Sequence, residues 1–112
     1  MDRQTSVTAR HFAETLKRRM NVEELILFGS RARGDHFVTS DFDFVLVSKD
    51  FSGSPFARRA ARLYDLWRGR CDLEALCYTP EEWQRFIEPC IANGTAYSSS
   101  PAKRKYDRIS DG

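Results

Sequence analysis

Apolar positions along this chain fall into runs that switch between helical and extended periodicity. Between residues 6 and 20, Ala9, Phe12, Ala13, Leu16 and Met20 recur at helical spacing on one stripe. That pattern predicts an amphipathic helix, with Asn21 as its stop. Leu25-Ile26-Leu27-Phe28 does not alternate, so residues 24–28 are expected to form a short central strand buried on both faces. A second apolar run, residues 42–47, predicts another strand.

Ser54 as N-cap and Pro55 at the first helical position open a second helix. Its inward stripe is Phe56, Ala60, Leu63 and Trp67, its outer face carries Arg58, Arg59 and Arg62, and Gly69 ends it. Residues 72–78 read as a third strand. Thr79-Pro80-Glu81-Glu82 then has the capping-box pattern. The helix it opens should turn Trp83, Phe86, Ile87, Cys90 and Ile91 inward and kink at Pro89. This order predicts an α/β (α+β) fold, a small mixed β-sheet with helices packed mainly on one side. Residues 1–97 form the single domain. From Ser98 onward, Ser-Ser-Ser-Pro and Lys103-Arg104-Lys105 read as a flexible C-terminal tail, residues 98–112.

Composition adds constraints more than identity. At 112 residues, one core is possible and a second is not. The 18 basic and 16 acidic residues nearly cancel, and a net charge of +2 argues against bulk electrostatic binding to nucleic acid or membrane. Cys71, Cys77 and Cys90 are odd in number and lack a Cys-x-x-Cys pair. With no signal peptide or long apolar span in the sequence, a reducing cytoplasm is the expected location. Cys77 and Cys90 lie in apolar runs and should behave as small buried hydrophobes. His11 and His36 have no metal-ligand spacing to the cysteines, which speaks against zinc.

The candidate chemistry lies around the first two strands. Leu25-Ile26-Leu27-Phe28 ends in Gly29-Ser30, a loop with Arg31 and Arg33 follows, and the next strand opens with Asp41-Phe42-Asp43. Strand side chains alternate, so Asp41 and Asp43 share a face, roughly 6–7 Å apart along it. Like charges on an otherwise apolar strand repel and resist desolvation unless a cation sits between them. A divalent metal facing a triphosphate would meet that need. Gly29 allows close backbone approach to a phosphate, Ser30 offers an N–H and a hydroxyl, and a helix starting just after Ser30 would add N–H groups for an anion. One of Arg31 and Arg33 is expected to clamp phosphate oxygens, the other to pair with Asp35 or face solvent. Asp35 and His36 read as surface loop residues.

Two-metal transfer requires a third carboxylate from a neighbouring strand. Asp72 and Glu74 qualify, and Asp72 is preferred because it opens its strand as Asp41 does. The sequence holds no Gly-x-x-x-x-Gly-Lys-Ser/Thr run, which excludes a P-loop enzyme, and the Asp-x-Asp lacks the Gly and closing Glu of an EF-hand.

Gly29-Ser30-Arg31-Ala32-Arg33-Gly34, the ten residues separating Ser30 from Asp41, and Ser40-Asp41-Phe42-Asp43 resemble the minimal nucleotidyltransferases of the DNA polymerase β superfamily. The resemblance spans about residues 8–97. It implies that Gly29 and Ser30 bind a nucleoside triphosphate and that Asp41 and Asp43 bind two Mg²⁺ ions. Asp72 would complete the catalytic and metal-binding triad. It implies also a HEPN-domain toxin as partner, with this chain an antitoxin transferring AMP from ATP to a tyrosine of that toxin. The alternatives are a binding module that neutralises its partner by occlusion, or nucleotidyl transfer to a small molecule or RNA. No basic stripe with interleaved aromatics supports direct RNA binding.

Overall fold

A computed structural model describes residues 2–34, 37, 40–87, 89 and 106–109. Helix α1 (Arg3–Arg19) begins before the apolar stripe because Asp2 caps it, its carboxylate accepting the Thr5 N–H at 2.7 Å. Lys17, Arg18 and Arg19 crowd the last turn, where positive charge favours the helix dipole. The helix ends at Met20, whose N–H closes on the Leu16 carbonyl, one residue before the expected stop at Asn21, and Asn21 serves another purpose. Its backbone N–H and side-chain amide both donate to Asp50, at 2.9 and 3.0 Å.

Strand β1 (Glu24–Phe28) runs straight into helix α2 (Gly29–Arg33), which starts at Gly29 and closes at Gly34 in the left-handed conformation. Strand β2 (Phe42–Val47) returns antiparallel to β1, pairing Phe28 with Asp43 and Glu24 with Val47. Two short helices, α3 (Phe56–Arg59) and α4 (Ala61–Leu66), cross over to strand β3 (Leu73–Tyr78), which lies parallel to β2 with Asp43 opposite Glu74. Helix α5 (Pro80–Glu82) and a π-helical turn (Trp83–Ile87) follow. Strand β4 (Tyr106–Arg108) completes a sheet of order β3-β2-β1-β4.

Alternation on the strands builds two unequal faces. Leu25, Leu27, Phe42, Phe44, Leu46, Leu73, Ala75 and Cys77 pack against α1 and the crossover. An aromatic cluster anchors that side, with Trp67 edge-on to Phe12 at 5.0 Å and tilted against Phe42 at 5.3 Å. The other face carries a smaller group, Ile26, Val45 and Val47 under Trp83. The mixed sheet with helices mainly on one side is therefore present.

Several local expectations change. The single helix from Pro55 breaks at Ala60, which rotates the stripe. Phe56 is half exposed against Tyr78, and Arg59 turns inward, donating to the Ser54 and Cys77 carbonyls and pairing with Glu82 at 2.6 Å. Glu82 is the reason. It closes the Thr79 capping box at the end of β3 and offers Arg59 a charged partner there. Phe86 is exposed because the π-helical turn shifts the angular register, leaving Trp83 and Ile87 toward the sheet. Cys90 and Ile91 lie outside the described residues.

Part of the expected tail is also ordered. Residues 106–108 pair antiparallel with β1 at Ile26, Leu27 and Phe28, and the Ile109 N–H donates to the Leu25 carbonyl at 2.8 Å. Satisfying the free backbone edge of β1 outweighs the polar composition of the preceding stretch. Among the described residues, no helix is long and apolar enough to cross a membrane.

Candidate active site

The sheet brings the acids together at one end. Asp43 shares the face of Val45 and Glu74 that of Leu76, so both point away from the α1 side, while Asp41 and Asp72 sit just before the two strands. Because β2 and β3 are parallel, both strands begin at the same end. Glu74 stands level with Asp43 in the ladder, while Asp41 and Asp72 sit one step before it. The Phe42 N–H donates to the Asp72 carbonyl at 2.9 Å, joining the two strand starts.

Asp43 is the electrostatic centre. Burial first, then the negative charges of Glu74 and Asp41, push its carboxyl above the usual aspartate range, against a smaller opposing pull from Arg33. Gly29 closes the other side. It has φ +77°, and a Cβ built there would run into the Asp43 carboxylate. The backbone at the start of α2 thus passes directly against an acid, an approach that only glycine permits.

The arginines of the loop part company. Arg33 is exposed and close enough to influence Asp43. Arg31 is fully buried and passes to the α1 side, its guanidinium carbon 4.0 Å above the Phe42 ring. It donates to the Ser40 carbonyl at 3.0 Å and to Thr5 Oγ1 at 2.8 Å, with Cys71 Sγ at 3.3 Å. Its expected place on a phosphate is not where its side chain lies, because Thr5 and the Phe42 ring give the cation a desolvated seat in the core. Ser30 is half-buried in the first turn of α2, and Asp35 and His36 lie outside the described residues.

Two hollows flank the acids. One, about 520 Å³, is lined by Asp41, Asp72, Glu74, Arg70 and Tyr64 among others. The second, about 210 Å³, is mainly apolar, with Phe28, Val45, Leu76, Tyr78 and Ile87 beside Asp43 and Glu74. Glu74 borders both. Arg70 escaped sequence reasoning because its only signal was membership of an arginine-rich stretch. Among the described residues, no three His, Cys, Asp or Glu side chains close into a metal-binding cluster.

The model of the nucleotidyltransferase domain family matches residues 9–85. The chain belongs to that family. The matched span runs from the middle of α1 into the π-helical turn and contains every acid and glycine of the candidate site. The nucleotidyltransferase fold is shared with a solved structure, a candidate nucleotidyltransferase from Sulfolobus solfataricus. That structure is 29% identical, with 73% of each chain covered and a TM-score of 0.61. The BolA domain of SufE1 from Arabidopsis thaliana is also similar, at 26% identity and a TM-score of 0.50. It covers 64% of this chain and 91% of that one. No curated protein matches.

Proposed function

We propose that this nucleotidyltransferase domain moves AMP from ATP to an acceptor oxygen, with Asp41 and Asp43 as the residues that would hold Mg²⁺ and Glu74 as the acid beside them. A tyrosine of a HEPN-domain toxin is the proposed acceptor, and the chain its antitoxin. The observation that carries the reading is the crowding of Asp43, pressed by the Gly29 backbone on one side and by Glu74 and Asp41 on the other. Such repulsion is relieved by a cation. Carboxylate oxygens suit Mg²⁺, which is usually held by one or two carboxylates together with substrate phosphates and water, so an open donor set fits it. When bound, the metal neutralises charge on the attacking and leaving oxygens.

The chain's own residues have separable tasks. Gly29 and Ser30 present backbone N–H groups, and Ser30 its hydroxyl, to the triphosphate; Arg33 adds charge to the β- and γ-phosphates. Asp41 and Asp43 would hold the metal. The acceptor oxygen attacks the α-phosphorus as the bond to the β-phosphate oxygen breaks, and pyrophosphate leaves. The acceptor's proton passes to the third carboxylate. Register and charge favour Glu74 for that role over the Asp72 preferred from the sequence, because Glu74 stands level with Asp43.

The test is incubation with labelled ATP, Mg²⁺ and a cognate HEPN protein. Label on the HEPN tyrosine, abolished by Asp41→Asn with Asp43→Asn, is the expected result; transfer surviving that double change overturns the mechanism. Exposed Phe86 and Leu76 favour a second reading, neutralisation by occlusion, in which the double variant still silences the toxin without any label.

A further inference from the structure

Asp41, like Asp72, lies just before the ladder. The paired registers hold Asp43 and Glu74 directly, and Asp41 only through the bond from the Phe42 N–H, next along the chain, to the Asp72 carbonyl. Its neighbours are anchored from the opposite face of the sheet. Arg31 Nε donates to the carbonyl of Ser40, the residue just before Asp41. The carbon of the same guanidinium lies 4.0 Å from the centre of the Phe42 ring, on the residue just after it. A further nitrogen meets the sulfur of Cys71, the residue before Asp72, and another is braced on Thr5 of α1.

We propose that Arg31 is a positioning residue: from behind the sheet it holds the Ser40 carbonyl before Asp41 and the Phe42 ring after it, and so aims the Asp41 carboxylate at the shared metal site. The position would otherwise favour an apolar side chain. A buried guanidinium bears a heavy desolvation penalty, and a packed hydrophobe of similar volume is often neutral or better for stability. What an aliphatic side chain cannot do is hold Ser40, Cys71 and Thr5 at once, from a planar fork. Arg31 also follows Ser30 directly, so one short helix sets the phosphate cradle with its backbone and the first acid with this side chain. The metal role given to Asp41 comes from the proposed function, and the inference rests on it.

The experiment uses the full chain and two readouts. Mn²⁺ binding in the presence of a non-hydrolysable ATP analogue, followed by electron paramagnetic resonance, reads the metal site without turnover. In Arg31→Lys the affinity for Mn²⁺ should fall about 10-fold, the usual loss when a supporting group behind a metal ligand is removed. Arg31→Lys combined with Asp41→Asn should be no worse than Asp41→Asn alone, whereas combination with Asp43→Asn should be additive. Hydrogen exchange at the Phe42 N–H reads the positioning directly, with or without metal, and should quicken while Phe44 and Leu46 stay protected. Thr5→Val removes one brace only and serves as the milder variant if Arg31→Lys does not fold; its Phe42 amide should also exchange faster. Unchanged exchange at Phe42 in a folded variant, or full additivity with Asp41→Asn, overturns the inference. A wild-type protein that binds no Mn²⁺ with the analogue overturns the metal reading instead, and exchange at Phe42 still decides the role of Arg31.

Discussion

Gly29 and Asp43 occupy mutually exclusive space: any side chain at residue 29 would stand where the Asp43 carboxylate lies. The backbone there also has a positive φ, which costs a non-glycine residue roughly 1–2 kcal/mol. Gly29→Ala should therefore lower stability by about that amount and reduce nucleotidyl transfer by at least about 100-fold, since the displaced acid can no longer serve the reacting phosphate. Thermal unfolding and a transfer assay on the same preparation separate the two effects. Gly34→Ala has a positive φ but open space around it, so it should cost stability alone.

Neutralising Asp43 should help the fold and harm the chemistry. A carboxyl held above its unfolded value of 3.8 contributes stability while protonated, and that contribution is lost as pH rises through the raised value. At neutral pH the charge is thus a burden on the metal-free protein. Asp43→Asn should raise Tm by roughly 2–4 °C, a modest gain because the site is partly solvated and screened. Added Mg²⁺ should stabilise the wild type and leave Asp43→Asn unmoved. A lower Tm in the variant at pH 7 and low salt contradicts this account of the site.

Glu74 and Asp72 should separate in kinetics. Glu74→Gln is expected to reduce turnover by at least about 100-fold, while Asp72→Asn, one step outside the ladder, should cost about 10-fold or less. Equal losses, or the reverse order, would return the third carboxylate to Asp72.

The Arg59–Glu82 pair predicts an acid-sensitive joint at the other end of β3 from Glu74. Hydrogen bonds from Arg59 first, then the Thr79 N–H, pull the Glu82 carboxyl from 4.5 down to about 2. A depressed carboxyl stabilises the fold above its unfolded value and loses that contribution as pH falls through the folded one. Glu82→Gln should cost about 1 kcal/mol or less at pH 7, because the pair is partly solvated and screened, and the gap from wild type should close between about pH 4.5 and 2. Denaturant unfolding across that range measures it.

Features carried by local chemistry were readable in the chain. The Ala9–Met20 stripe, the unbroken Leu25–Phe28 run and the Thr79 capping box each specify their element through contacts within a few residues, and all three are present. What escaped depends on partners distant in sequence. Arg59 looks like a solvated helix residue until Glu82 is folded beside it. Arg31 reads as a phosphate clamp because nothing nearby in sequence announces Thr5 or Cys71 as its neighbours. Strand β4 follows a polar stretch, and only the unpaired edge of β1 explains it. At the candidate site, alternation places Asp43 on the face away from α1, and Gly29 follows directly on β1 as the spacing implied. The level pairing of Asp43 with Glu74 was not legible, since parallel register is set by the crossover helices.

That crossover has a kinetic meaning. The β1–β2 hairpin can form early with Gly29 already against Asp43, but the opposing acid arrives only after residues 48–72 have wound across the sheet and docked. A nascent or partly opened molecule that has lost α3 and α4 keeps its hairpin yet holds an incomplete set of acids. A complete set of acids is thereby tied to a long-range closure of the fold that the hairpin alone does not supply.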